Sequence, residues 1–151
     1  MKTNLKFFTT LVITIFCMLN VQVFAEGVGF LDYKKVQDNY AYAKTAAKEI
    51  DNKALELQQF IVDKEKQYKM LETPLKKQNF ENATKKEFEK RQNDYVTFKL
   101  KKEEEVYNRI QEAAKQVLVE HKLDAILDYR VIFVGGVDVT DLVIAKLKSS
   151  K

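Results

Sequence analysis

Few residues in this chain are of a type and spacing that could carry covalent chemistry. His121 is the sole histidine and Cys17 the sole cysteine. Cys17 sits in an apolar N-terminal run behind Phe16, where attachment of a lipid to cysteine wants a small residue, so it reads as an ordinary member of that run. His121 falls at an expected helix end and reads as a cap or a solvated residue. Asp138, Thr140 and Asp141 place two carboxylates and a hydroxyl close together, but around a helix start that composition is a cap before it is a metal site. Gly135-Gly136 lacks the spacing of a dinucleotide or phosphate-binding loop and reads as a turn. No catalytic residue, metal site or cofactor is assigned, and an enzyme is the least expected class.

Binding chemistry is the stronger signal. Between residues 64 and 91 there are nine lysines and arginines against five glutamates, an excess of four positive charges. Lys76, Lys77, Lys85 and Lys86 flank Phe80, an aromatic residue that is hard to explain as core. These five are the candidate contacts, either for an acidic polypeptide or for anionic lipid headgroups. The bland reading of the same lysines is a solvated helix face.

Two long helices must carry this basic segment. From Ala43 the residues Ala43, Ala47, Ile50, Ala54, Leu57, Ile61, Lys64, Tyr68, Leu71 and Leu75 step alternately by four and three, the mark of a coiled-coil seam. Pro74 disfavours helix in the residue before it, so the first helix should end near Glu72. Pro74 to Ala83 reads as the turn, with Asn79 and Asn82 as turn formers. Thr84-Lys85-Lys86-Glu87 matches a capping box that would open the second helix, which should run to about His121. Its seam passes through Phe88, Tyr95 and Phe98, then Val106, Ile110, Ala113 and Val117. The charged run Lys99 to Glu105 separates the two halves, which are about one residue out of phase. Helices of roughly 30 and 38 residues would make an antiparallel arm about 45–55 Å long. Tyr68, Phe88, Tyr95 and Phe98 read as packing residues of that arm.

Apolar segments flank the hairpin. Val28-Gly29-Phe30-Leu31-Asp32 reads as a buried strand, with Asp32 capping a short helix from Tyr33. Ala125-Ile126-Leu127 and the β-branched run Val131-Ile132-Phe133-Val134 read as strands, and Thr140 as the N-cap of a closing helix with Asp141 in its first turn. The parts divide as residues 26–43 and 123–151 for a small β-rich body, and 44–122 for the arm. The fold class is α+β, mostly α: a long helical hairpin inserted in a small β body. A body of this size without disulfides is marginal alone, and its strand edges want partners, so it should oligomerise.

Ahead of the body, Lys2 and Lys6, an uncharged run from Phe7 to Leu19, and Val23-Phe24-Ala25 have the order of a secretory leader cleaved near Ala25/Glu26. The leader holds the only cysteine, so the exported chain can form no disulfide. After cleavage, 24 lysines and arginines face 22 acids. That balance is too even to argue for nucleic acid.

Three motifs together resemble one family. Val28-Gly29-Phe30-Leu31-Asp32 is similar to the opening strand, usually written I-G-x-V-D, of the Skp (OmpH-like) periplasmic chaperones. The stretch from Ala114 to Asp128 resembles the family segment ending G-[YF]-x-x-V-[LI]-D, and Asp138-Val139-Thr140-Asp141 its D-[IV]-T-[DE] signature. Lys122 stands where the family commonly has glycine, Leu123 where it has an aromatic, and the exported chain is less basic than well-known members. The resemblance implies a trimer whose β body holds three helical arms around a cavity. It also implies an ATP-independent holdase for unfolded outer-membrane β-barrel proteins in the periplasm. A structural coiled-coil protein of the envelope is the alternative.

Overall fold

The computed structural model describes residues 27–149. The leader expected over residues 1–25 lies outside the described residues. Strand β1 (Val28–Leu31) opens the fold. Asp32 follows it and caps helix α1 (Tyr33–Asn39), its carboxylate accepting the Lys35 N–H at 2.9 Å. Helices α2 (Ala41–Lys69, 29 residues) and α3 (Pro74–Glu120, 47 residues) make the hairpin. Strand β2 (Ala125–Asp128), a 3-10 turn over Tyr129–Val131, strand β3 (Val137–Asp138) and helix α4 (Thr140–Ser149) complete the body.

The hairpin turn is tighter than expected. α2 stops at Lys69, short of Glu72, and α3 begins at Pro74, ten residues before Thr84. Thr73 is its N-cap, the hydroxyl accepting the Lys76 N–H at 3.4 Å. Proline suits the first helical position because the amide it lacks would have no partner there and its φ is already helical. Pro74 therefore starts the next helix, the turn is confined to residues 70–73, and the apparent capping box Thr84–Glu87 lies inside α3. At about 1.5 Å per residue, α2 spans roughly 43 Å.

Past Glu120 the chain closes α3 with paired capping bonds. The Leu123 N–H donates to the Leu118 carbonyl at 2.9 Å, and the Lys122 N–H to that of Val119 at 3.3 Å. This Schellman arrangement needs a left-handed residue between helix and strand, and Lys122 adopts it with φ of 53°. The departure from the family's glycine thus costs backbone strain and not the helix end. Lys122→Gly is expected to raise stability by about 0.5–1 kcal/mol, read as a higher urea midpoint at unchanged slope.

The sheet is parallel, in the order β2-β1-β3. Val28 pairs with Ala125 and Leu31 with Asp128, while Gly29 pairs with Val137. Parallel neighbours require a long crossover, and between β1 and β2 that crossover is the entire arm. The run Val131–Val134 is not a strand: it leaves the 3-10 turn as a loop, and Gly135 and Gly136 turn the chain at φ of 83° and 88°. Pairing resumes only at Val137.

The core lies where sheet, α1, α4 and the base of the hairpin meet. Val36, Val117, Val139 and Val143 are its most enclosed side chains, and Ala43, Ala46, Val106 and Ile110 carry it into the arm's base. Gly29 lets β1 approach this core closely, since a Cβ there would stand 2.9 Å from Leu123 Cδ1. Thr140, expected as an N-cap, is instead the first residue of α4 and buried. Asp138 performs the capping: its carboxylate accepts the Thr140 N–H at 2.9 Å and the Thr140 hydroxyl at 2.5 Å. The same hydroxyl oxygen accepts the Asp32 N–H at 3.0 Å, tying the end of β1 to the start of α4. Asp141 lies in the first turn and pairs with Lys35 at 2.9 Å.

Candidate functional site

The arm has little interior of its own. From residue 47 to residue 105 no side chain is buried; the facing positions Leu57, Phe60, Lys64, Tyr68, Phe88, Tyr95 and Phe98 are half-buried. The α2 contact line differs from the expected seam at two places. Ala46 is buried where Ala47 was expected, and Ile61 is exposed while Phe60 turns inward. Ala46 and Phe60 each lie one residue before the heptad position, while Ile50, Ala54, Leu57, Lys64 and Tyr68 keep it.

Ionic contacts supplement this thin packing. Near the base of the arm Lys102 pairs with Glu49 at 2.6 Å, joining α3 to α2 within the charged run. Just below, the Tyr42 hydroxyl donates to Glu105 at 2.6 Å while the Arg109 guanidinium stacks 4.2 Å from the Tyr42 ring. The tyrosine's hydrogen bond holds the Glu105 carboxyl below its ordinary range.

Near the tip the two helices form an open apolar cleft of about 520 Å3, walled by Phe60, Ile61, Tyr68, Phe80 and Phe88. Lys64 crosses it, paired with Glu87 at 2.9 Å and lying 5.2 and 5.7 Å from the centres of the Phe60 and Phe80 rings. Lys64, with Arg91 beside it, lowers the Glu87 carboxyl from its ordinary range. Of the five candidate contacts, Phe80 and Lys85 line the cleft. Lys77 lies 5.3 Å from the Tyr68 ring centre, and Lys76 and Lys86 are exposed on α3. Phe80 is not free-standing; it is half-buried with its ring centre 6.3 Å from that of Tyr68. The cleft was readable in the sequence as two runs at four-residue spacing, Phe60-Lys64-Tyr68 and Phe80-Thr84-Phe88.

A second exposed surface belongs to the body. Val131, Phe133 and Val134 stand out on the loop between β2 and β3, and Phe133 is fully exposed, at 102%. At the foot of this loop Arg130 grips Asp128 at 2.8 Å and, with its own backbone N–H, pulls that carboxyl down to about 2.

Asp128, Asp138, Glu87 and Glu105 are all depressed in the folded chain, so each favours folding above its unfolded pKa of about 4. Their contribution is lost as pH falls through the folded values. The urea midpoint is expected to hold from pH 7 to about 5 and to decline between roughly pH 4 and 2.

Among the described residues no helix is long and apolar enough to cross a membrane. The family described as outer membrane protein (OmpH-like) matches residues 27–147. No curated protein matches. Among solved structures the chain is similar to a proposed outer membrane chaperone (OmpH-like) from Caulobacter crescentus CB15. The two are 17% identical, the match covers 83% of this chain and 85% of that one, and the TM-score is 0.56. At that identity the likeness speaks for the fold.

Proposed function

The chain belongs to the OmpH-like outer membrane protein family, and on that premise we propose that it is an ATP-independent periplasmic holdase for unfolded outer-membrane β-barrel proteins. Family membership supports a chaperone-type role. The observation that carries the finer reading is the arm from residue 47 to 105, which displays half-exposed apolar and charged side chains and buries none of them in its own folding. Unfolded β-barrel strands alternate apolar and polar residues, so a mixed surface meets them with many weak contacts. Several arms acting together would supply retention through avidity. The exposed loop at Phe133 and the free edges of β2 and β3 support assembly through the body, and a trimer is the state we propose. No catalytic step, cofactor or nucleic acid is part of this function.

The test is dilution of a urea-unfolded porin into buffer with the exported protein, followed by light scattering. Suppression near one trimer per client and indifferent to ATP supports the holdase. Unchanged scattering across a wide excess favours the envelope spacer instead. The basic tip is part of the proposal, as an attraction for acidic clients or anionic lipid. Reversing Lys76, Lys77, Lys85 and Lys86 to glutamate is expected to weaken capture about tenfold at low salt and less at high salt, where exposed charges are screened. Unaltered capture and lipid binding in that variant would remove the tip from the mechanism.

A further inference from the structure

The cleft near the tip combines two properties that together select an occupant. Its walls are aromatic and nearly free of polar atoms, and its rim is ionic. Lys64 is satisfied by Glu87, and Glu81 stands beside the Tyr68 hydroxyl, whose pKa it raises. Glu65 is the other rim acid. Lys69 and Lys85 also stand on the rim and make no ion pair with any described residue. The cleft therefore suits an apolar, preferably aromatic group with a negative charge beside it.

Transmembrane β-strands carry girdle aromatics at their ends, flanking the apolar band and next to the turns, and a strand end whose turn begins with an acid offers both features. In an extended chain, residues two apart share a face and lie roughly 7 Å from each other. An aromatic residue in the cleft can then bring an acid two positions away onto the rim. Resting on the holdase reading, we infer that the Phe60–Phe88 cleft seats the end of a client strand of the pattern aromatic-x-acid. The aromatic ring packs against Tyr68 and Phe80, and the carboxylate pairs with Lys69 or Lys85. The groove is open to solvent along its length, which lets an extended chain lie across it. The arm would thus prefer strand ends within an otherwise unselective client.

The test is fluorescence anisotropy of short labelled peptides with alternating polarity on the full protein. One peptide contains Phe-x-Asp, a second has alanine for the phenylalanine, and a third lysine for the aspartate. Each replacement is expected to weaken binding about tenfold. Thr84→Trp, which fills the cleft, and the double variant Lys69→Glu/Lys85→Glu, which leaves the walls intact, should each abolish the preference for Phe-x-Asp. Circular dichroism checks that the arm remains helical. Porin aggregation is followed with the same proteins. Suppressed aggregation with no peptide preference overturns the cleft assignment and leaves the holdase standing. Loss of suppression in the unaltered protein overturns both. Peptides that do not bind, with phosphatidylglycerol vesicles that do and that depend on Lys69 and Lys85, would make the cleft a lipid headgroup site and overturn the strand-end assignment.

Discussion

Replacing Thr140 by valine is expected to destabilise the body by about 2–3 kcal/mol and lower Tm by about 10 °C. The side chain is 1% exposed, and valine nearly reproduces its shape. The loss is therefore polar. The Asp32 N–H, on a half-buried residue beside the core, loses its acceptor, and the Asp138 carboxylate, which is open to water, loses one of its two donors. An unsatisfied buried group costs more than a hydrogen bond contributes. Thr140→Ser keeps the hydroxyl and gives up one methyl, so it should cost only about 1 kcal/mol. If the body holds the oligomer together, analytical ultracentrifugation of the valine variant should also show dissociation at concentrations where the serine variant stays assembled.

Ile110→Ala should be more severe, at about 2–5 kcal/mol. Ile110 is 2% exposed, at the level where α3 leaves the body core for the arm. Truncation there opens a cavity among side chains from several elements, which cannot all collapse inward. Leu57→Ala in the arm removes a side chain of similar size from a half-buried site. It should cost about 1 kcal/mol, because much of that side chain is already in contact with water. Urea unfolding of the two variants in parallel measures the difference. Equal losses would show that the arm is packed as tightly as the body, and the holdase proposal would then lose the observation that carries it.

Local signals with a single physical solution were legible in the chain. β1, its Asp32 cap, β2, the Gly135-Gly136 turn and the closing helix stand where apolar runs and capping residues place them. The errors arose where one residue serves two rules. Pro74 ends a helix by restricting its predecessor, but it also favours the first position of the next helix, and the second effect sets where α3 starts. Val131–Val134 has the composition of a strand, yet it pairs with neither edge of the sheet and instead completes the 3-10 turn and continues as a loop. The candidate contacts were found by charge, which located Lys85 and its neighbours. The aromatic walls were missed in part because a heptad fitted through Ile61 hides Phe60.

The position of the arm between β1 and β2 also bears on the order in which the molecule can form. Val28 pairs with Ala125, so the first strand has no partner until nearly the whole chain is present. Closing so long a loop from a random coil is slow, because its entropy is lost before any contact rewards it. A hairpin whose helices meet through near neighbours at the turn can instead zip from residues 70–73 outward. Once zipped, it leaves only the short links Asp32 to Tyr40 and His121 to Asp124 to adjust. The arm is then a folding jig for the sheet, and lengthening the turn with a flexible insert would slow refolding of the body even though the insert lies at the far end of the arm.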